Sequence, residues 1–389
     1  MQTFGRHLRS HWHLDDEGTF LNHGSFGACP KDVLAEQSRW RLLMERQPDS
    51  FFRYTVSPRL MNNELRVAAE RLGRFVGTEC ERIAFVTNAT EAVNTVLRSL
   101  RLKAGDEILV LDCVYNAVRL ASEEVCKASG AKVVKVSLPI PLTANDVAER
   151  IADAAGAKTR LAIIDHIASP TAVVFPVAEI TRALKAKGVR VLIDGAHAVG
   201  QLALDLPAIG ADWYTANCHK WLYSPRGSAF LYATEEVAGQ TVPLSVSHWH
   251  ELKFPRAFDY VGTRDVSAFL SVPAAIDFIE RFDTAKVRDY LMQLSREGVA
   301  LMARLGAEPT APDAMFAAMC TYTLPQRREA VPDDALQLMQ GLWEKHKVQI
   351  ASNAFQGKLL CRLSAQIYVE RADVEHGVAA LERHGWPGR

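Results

Sequence analysis

The segment ADWYTANCHKWLYSPRG sets one amine, Lys220, among Trp213, Tyr214, Trp221, Leu222 and Tyr223. Burial disfavours the charged ammonium, and a lysine that sheds its proton near neutral pH becomes a nucleophile able to form an imine with a carbonyl. Taken alone, Lys220 reads first as a surface lysine, where charged side chains usually sit. In RVLIDGAHAVGQ an apolar run ends on Asp194, followed by Gly195 and, two residues on, His197. A carboxylate buried there is costly unless paired, and a cationic ring nitrogen is a suitable partner. The plainer readings are a helix cap for Asp194 and an ordinary core or surface histidine for His197. A third element, TNATEAVN, spans residues 87–94 at a strand-to-helix junction. The free N–H groups of such a helix start can hold a phosphate, helped by the Thr90 hydroxyl. Capping alone accounts for Thr87, Asn88 and Thr90 equally well.

These residues need a scaffold that brings them together. IAFVTN, EILVLD, AKVVKVSL, RLAIIDHI, VRVLIDGAH and GSAFLYA are short apolar runs of the kind expected for buried parallel strands. Helical patterns alternate with them: NATEAVNTVLRSL, AVRLASEEVCKAS with Gly130 as its stop, and VAEITRALKAKG with Gly188 at its end. Alternation of this kind predicts an α/β domain with helices on both faces of a mostly parallel sheet. Right-handed crossovers then place ligand-binding groups beyond the carboxyl ends of the strands, where Thr87, Asn88, Tyr115, Asp194 and His197 fall. Helical patterns also occupy residues 31–48 and 60–76, broken at Ser57-Pro58. After about residue 270 the character changes to long amphipathic helices, short strands at FAAMCTYTL, VQIASNAF and KLLCRLSAQIYV, and a closing helix at VEHGVAALERHG, a smaller α+β domain.

Composition excludes several classes. The 389 residues carry 45 Lys plus Arg against 45 Asp plus Glu, so no net field draws nucleic acid or an anionic membrane. Apolar runs are too short to cross a bilayer, and MQTFGRHLRSHWHLDDEG lacks the apolar core of a signal peptide, so a cytoplasmic location is expected. Seven scattered cysteines without a CxxC pair argue against a disulfide framework and a structural zinc site, and no metal is expected.

Taken together, TNATEA, DCVYNAV, HIASPTAVVFPV, DGAHAVGQ and NCHKWLYSPRG, in that order over residues 87–227, resemble the class V aminotransferase group of fold-type-I pyridoxal-phosphate (PLP) enzymes. FDYVGTRD and CRLSAQIYV extend the likeness to residue 369, and LNHGSFGACP resembles the opening of isopenicillin N epimerase-like members. The resemblance implies PLP as cofactor, bound as an imine to Lys220, which later moves the proton at the substrate α carbon. By motif position it implies that Asp194 keeps the pyridine nitrogen protonated, and that Ala89 and Thr90, with His219 and Thr215 nearby, hold the phosphate. It places the Tyr115 ring over the cofactor and brings His197 and Ser169 towards the ring hydroxyl. Arg362 is the candidate grip for a substrate carboxylate, its planar fork matching the two oxygens. Asn22 and His23 fall in a loop approaching the substrate side. Gly262 and Thr263 belong to a segment that often reaches the neighbouring subunit's cofactor phosphate, which implies a homodimer. Tyr260, Arg264, His248 and His250 are further pocket candidates.

The change of character after about residue 270 divides the chain into an N-terminal segment over residues 1–50 packing near the small domain, a large PLP-binding domain over 51–270 and a small C-terminal domain over 271–389. The expected reaction is at the α carbon of a small amino acid or derivative, epimerase-like on the opening motif. Alternatives are a carbon–sulfur β-lyase or a transaminase, then a cysteine desulfurase, for which Cys320 and Cys361 lie in apparent strands rather than a mobile loop. A degenerate, non-enzymatic PLP-fold binding protein is the reading from another class.

Overall fold

The computed structural model describes residues 4–143 and 146–389. A two-residue strand β1 (Thr19–Phe20) precedes β2 (Ile83–Val86), β3 (Glu107–Leu111), β4 (Lys132–Val136), β5 (Thr159–Asp165), β6 (Arg190–Asp194), β7 (Trp213–Ala216) and β8 (Ala229–Ala233). The last seven form one sheet in the order β2-β8-β7-β6-β5-β3-β4. All its pairings are parallel except the two made by β8. The mostly parallel sheet is therefore present, closed at one side by an antiparallel insertion.

Side-chain alternation along the strands decides which face each residue meets. Ile108, Val110, Ile163 and Leu192 pack with Val93, Val96 and Val118 of the helices Ala89–Ser99 and Asn116–Ser129 on one face. Leu109, Ile164 and Ile193 join the other core, with Ile180 and Leu184 of the helix Val177–Ala186 and Leu65 and Leu72 of Glu64–Val76. Strand β7 has no counterpart in the sequence reading. Its four residues, WYTA, run straight into the polar NCHK turn, so no long apolar run marks them, and burial between β6 and β8 makes the strand.

Beyond the large sheet come β9 (Glu308–Pro309), β10 (Met319–Thr323), β11 (Val348–Gln349), β12 (Ala351–Phe355) and β13 (Lys358–Ser364). Four of these make an antiparallel sheet ordered β12-β13-β10-β9, while β11 pairs in parallel with β1. The helix Pro332–His346 was also not foreseen. Pro332 occupies its first turn, Asp334 caps it by accepting the Val331 N–H at 2.9 Å, and Ala335, Leu338 and Leu342 form its buried stripe. Gly341 interrupts the pattern because a side chain there would strike the His384 ring at 2.4 Å. The KLLCRLSAQIYV strand ends at Ser364, and the following residues turn beneath the N-terminal segment, where Gly5 N–H donates to the Ile367 carbonyl at 2.8 Å. Among the described residues no helix is long and apolar enough to cross a membrane.

Candidate active site

Parallel strands end at one edge of the sheet, and their carboxyl ends surround a cavity of about 240 Å³. Asp165 and Asp194 close β5 and β6, and Asn217, His219 and Lys220 follow β7. Asn88, with Ala89 and Thr90 of the helix it caps, enters after β2 and Tyr115 after β3, and Ser25, Phe26, Ser169 and His197 also line the wall. The sharp exit from β6 needs Gly195, since a Cβ there would lie 2.3 Å from the Tyr214 hydroxyl oxygen.

Lys220 is the amine of this cavity. Burial, reinforced by the charge of Arg362, pulls its pKa down from 10.5 to about 7, against the opposing pull of Asp194. Its Nζ lies 3.1 Å from His197 Nε2, and Trp221 Nε1 donates to His197 Nδ1 at 3.4 Å. With Nδ1 accepting, the neutral imidazole carries its proton on Nε2 and donates it to the lone pair of an uncharged amine. Burial, with Lys220 next in weight, holds His197 well below the usual histidine range, in keeping with that arrangement.

The backbone of the lysine is gripped from the N-terminal segment. His23 is completely buried, its Nε2 2.9 Å from the Lys220 carbonyl oxygen and its Nδ1 2.7 Å from the Tyr368 hydroxyl. A carbonyl only accepts, so Nε2 donates and Tyr368 donates to Nδ1. Burial lowers the His23 pKa to about 4. The structure thus puts His23 behind Lys220 instead of facing substrate. Gly27 takes φ +69°, and a Cβ there would sit 2.0 Å from the His219 carbonyl oxygen. Only glycine allows the segment to press this closely against the lysine turn.

At the opposite side of the cavity Asn88 caps the helix Ala89–Ser99 by accepting the Glu91 N–H at 2.9 Å. The Ala89 N–H donates to Asn217 Oδ1 at 2.9 Å, and Thr90 lines the cavity. His219 Nδ1 donates to the Ser228 carbonyl at 2.9 Å, which makes Nε2 of the neutral ring an acceptor, and burial lowers this ring to about 4. The N–H and hydroxyl of Thr90 at this helix start, with the side-chain amide of Asn217 beside them, are donors that fit a phosphate. Thr215 does not join them. It is fully buried inside the sheet and donates to the Phe230 carbonyl at 2.8 Å. Asn217 takes the place by the helix start that was expected for Thr215, and its position three residues before Lys220 was the overlooked signal.

Arg362, from β13, is buried at 2% exposure. Nη1 donates to the Ser169 carbonyl at 2.5 Å and its hydroxyl at 3.2 Å, and Nη2 to Ser25 Oγ at 3.1 Å and Asn22 Oδ1 at 3.5 Å. No carboxylate forms an ion pair with it among the described residues, and its Nε is buried without a partner. Burial lowers it to about 10. Neutral acceptors hold the fork in place without neutralising it, which leaves the cation ready for an anionic ligand. Asn22 and Ser169 meet the arginine, and Ser169 also lines the cavity.

Asp194 is buried, accepts the Ala196 N–H at 3.0 Å, and is raised above the usual carboxylate range chiefly by burial. Tyr115, half exposed, lines the cavity. Gly262 and Thr263 lie on the surface outside it, Thr263 hydrogen-bonded to Tyr260 at 3.0 Å. Arg264 donates to the Phe258 carbonyl at 3.2 Å, and neither it nor His248 or His250 reaches the cavity. The buried cation at Arg362, the lowered lysine and the acid at Asp194 are what a PLP site needs on its three sides.

The family model described as Aminotransferase class-V matches residues 58–376. An Oryza sativa subsp. japonica protein named "Putative L-cysteine desulfhydrase 1" is 39% identical over 280 residues, 68% of this chain; the chain spans 57% of that protein's length. Isopenicillin N epimerase of Amycolatopsis lactamdurans is 33% identical over 393 residues, covering 95% of this chain and 96% of that one. Among solved structures, a C-DES variant with glycine covalently linked to the PLP cofactor superposes with a TM-score of 0.81 at 22% identity, over 97% of this chain and 99% of the other. The shared architecture is fold type I.

Proposed function

The chain is a PLP-dependent enzyme of the class V aminotransferase family, and from that premise we propose that it is a carbon–sulfur β-lyase acting on a small β-thiol amino acid such as cysteine. When bound, PLP supplies an electron sink that makes loss of the α proton accessible. Asp194 would hold the ring nitrogen, Ala89, Thr90 and Asn217 the phosphate with His219 beside it, and Lys220 the carbonyl carbon. Arg362 binds and orients the substrate carboxylate, which fixes the direction of the Cα–H bond. Lys220 Nζ, neutral above about pH 7, is the base that takes that proton. A cavity of about 240 Å³ shared by cofactor and substrate favours a small side chain.

The observation that carries the choice of reaction is the pairing of this base and carboxylate grip with the absence of an available thiolate. All seven cysteines are free, and burial pushes every one of their thiols upward, Cys29 to about 12 and Cys80 and Cys320 to about 11. A desulfurase needs a thiolate to accept sulfur. Without one, sulfur leaves as sulfide: cysteine and water give sulfide, pyruvate and ammonium with no external oxidant. The desulfhydrase name of the rice relative supports this reading. The full-length likeness to an isopenicillin N epimerase supports the second one, proton return to the opposite face of the α carbon. A second copy bringing Gly262 and Thr263 to the phosphate side would complete either site.

The test is an amino-acid panel with the purified holoenzyme in deuterated water. L-cysteine should yield sulfide and pyruvate in equal amounts without an added keto acid or thiol. Recovered amino acid with α-deuterium and inverted configuration would replace the lyase with an epimerase. Keto acid that required an acceptor would replace it with a transaminase.

A further inference from the structure

Asp165 lines the same cavity and was not singled out in the sequence. It ends β5 as Asp194 ends β6, and the two are direct neighbours in the parallel register. Both are buried, at 3% and 4% exposure. Adjacent strands stand about 4.8 Å apart, so two ionised carboxyls here would repel each other with little water between them. One of them keeps a proton, as in other close carboxyl pairs.

The surroundings decide which. Asp194 Oδ1 accepts an N–H from Ala196 and lies in the field of Lys220. Asp165 Oδ2 is buried with no hydrogen-bond partner among the described residues, and the pull of the Tyr115 and Asp165 backbone N–H groups on this carboxyl is outweighed by burial and by Asp194. The other titratable groups around the pair offer it no cation. Burial keeps Cys113 and Tyr214 protonated, aided by Asp165 for the first and Asp194 for the second. His166, whose Nδ1 is 2.8 Å from the Tyr214 hydroxyl, and His197 are both neutral through burial. Arg362 is outside the cavity lining, and the charge of Lys220, where that amine keeps its proton, acts on Asp194.

We propose that Asp165 is a positioning residue that works as a neutral carboxylic acid beside Asp194, so that this wall of the cavity carries one negative charge and that charge sits on Asp194. Burial first, and Asp194 second, push Asp165 well above the usual carboxylate range, in agreement with the geometry. The acid can offer its O–H to Asp194 and steady the anion that meets the cofactor ring. The inference rests on PLP as cofactor and is independent of the reaction that follows.

The experiment is isotope-edited infrared spectroscopy of holoenzyme labelled at the aspartate carboxyl carbon, combined with the PLP dissociation constant. At pH 7 the wild type should show a protonated carboxylic-acid C=O band that disappears in Asp165→Asn. That variant, uncharged at every pH, should keep the cofactor within about threefold of wild type, whereas Asp165→Ala should weaken it about tenfold or more. A wild type that binds PLP yet lacks the band overturns the proposal, and this measurement needs no variant to fold. A band that survives Asp165→Asn and vanishes in Asp194→Asn puts the proton on the wrong acid and overturns it too. Large loss of cofactor in Asp165→Asn does the same. A wild type that bound no PLP would instead defeat the cofactor assignment.

Discussion

Replacing Arg362 by Ala removes a buried cation whose acceptors, Ser169, Ser25 and Asn22, are all uncharged. The protein itself loses no ion pair, so the damage falls on whatever anion the guanidinium meets. Truncating one member of a buried, hydrogen-bonded charge pair costs about 2–5 kcal/mol. At about 1.4 kcal/mol per decade this is a loss of roughly 30-fold to several thousand-fold in kcat/KM. Stability responds to two opposing changes: a cavity opens on β13, but the desolvation that lowers Arg362 to about 10 is relieved. The cofactor content per subunit should stay at the wild-type level, because Arg362 is outside the phosphate and ring-nitrogen contacts. Arg362→Lys should recover only part of the loss, since an ammonium lacks the planar fork. The assay is steady-state kinetics on the best substrate of the panel, alongside PLP absorbance and thermal melting. If Arg362→Ala kept kcat/KM within about threefold with normal cofactor content, the carboxylate assignment would be wrong.

Borohydride reduction of the holoenzyme, followed by peptide mapping, should place the adduct on Lys220, and an adduct on another lysine would remove the centre of the site. In the cofactor-free enzyme the rate of PLP capture should climb through pH 7 and level off above it, because the neutral amine is the reactive form; a midpoint near 10 would show an ordinary lysine. The same depressed lysine binds fewer protons folded than unfolded between about pH 7 and 10.5, so its contribution makes the apoenzyme more stable as pH rises across that window, readable as denaturation midpoints against a Lys220→Met control. Asn217→Ala should weaken PLP binding about tenfold through loss of a hydrogen-bond partner at the helix start, measured by equilibrium dialysis, and an unchanged affinity would remove Asn217 from the phosphate site. Light scattering should find the active enzyme at least dimeric, with a fully loaded active monomer contradicting a shared site.

Periodicity made the α/β architecture readable, because continuously apolar runs such as Leu161–Ile164 are buried on both faces and need no partner's identity to be recognised. Asp194 was readable because its apolar run stops on a carboxylate followed at once by Gly195, whereas Lys220, beyond the unmarked strand β7, and Thr90, in the first turn of its helix, were legible through the motifs around them. What escaped was set by contacts distant in sequence. Thr215 and Asn217 are two residues apart, and only the pairing of β7 with β8 turns the first into the sheet and the second towards the cavity. His23 looked like a substrate-side residue until Tyr368, 345 residues away, took up its second nitrogen. Asp165 was hidden as the last residue of an apolar strand, indistinguishable there from a cap until its register with Asp194 was known.

The hold of the N-terminal segment on the lysine turn has a consequence for the order of events during synthesis. Residues 19–27 emerge long before their partners: β1 waits for Val348 and Gln349, and His23 waits first for Lys220 and then for Tyr368. Contacts of such separation close late, after the loops they span have been ordered. Until then the lysine turn lacks the backing of His23 and the close press of Gly27, even when the large sheet around it is complete. The nascent chain would therefore acquire its cofactor only once nearly all of its length is available, so that a ribosome stalled in the small-sheet region displays a well-formed sheet that remains colourless.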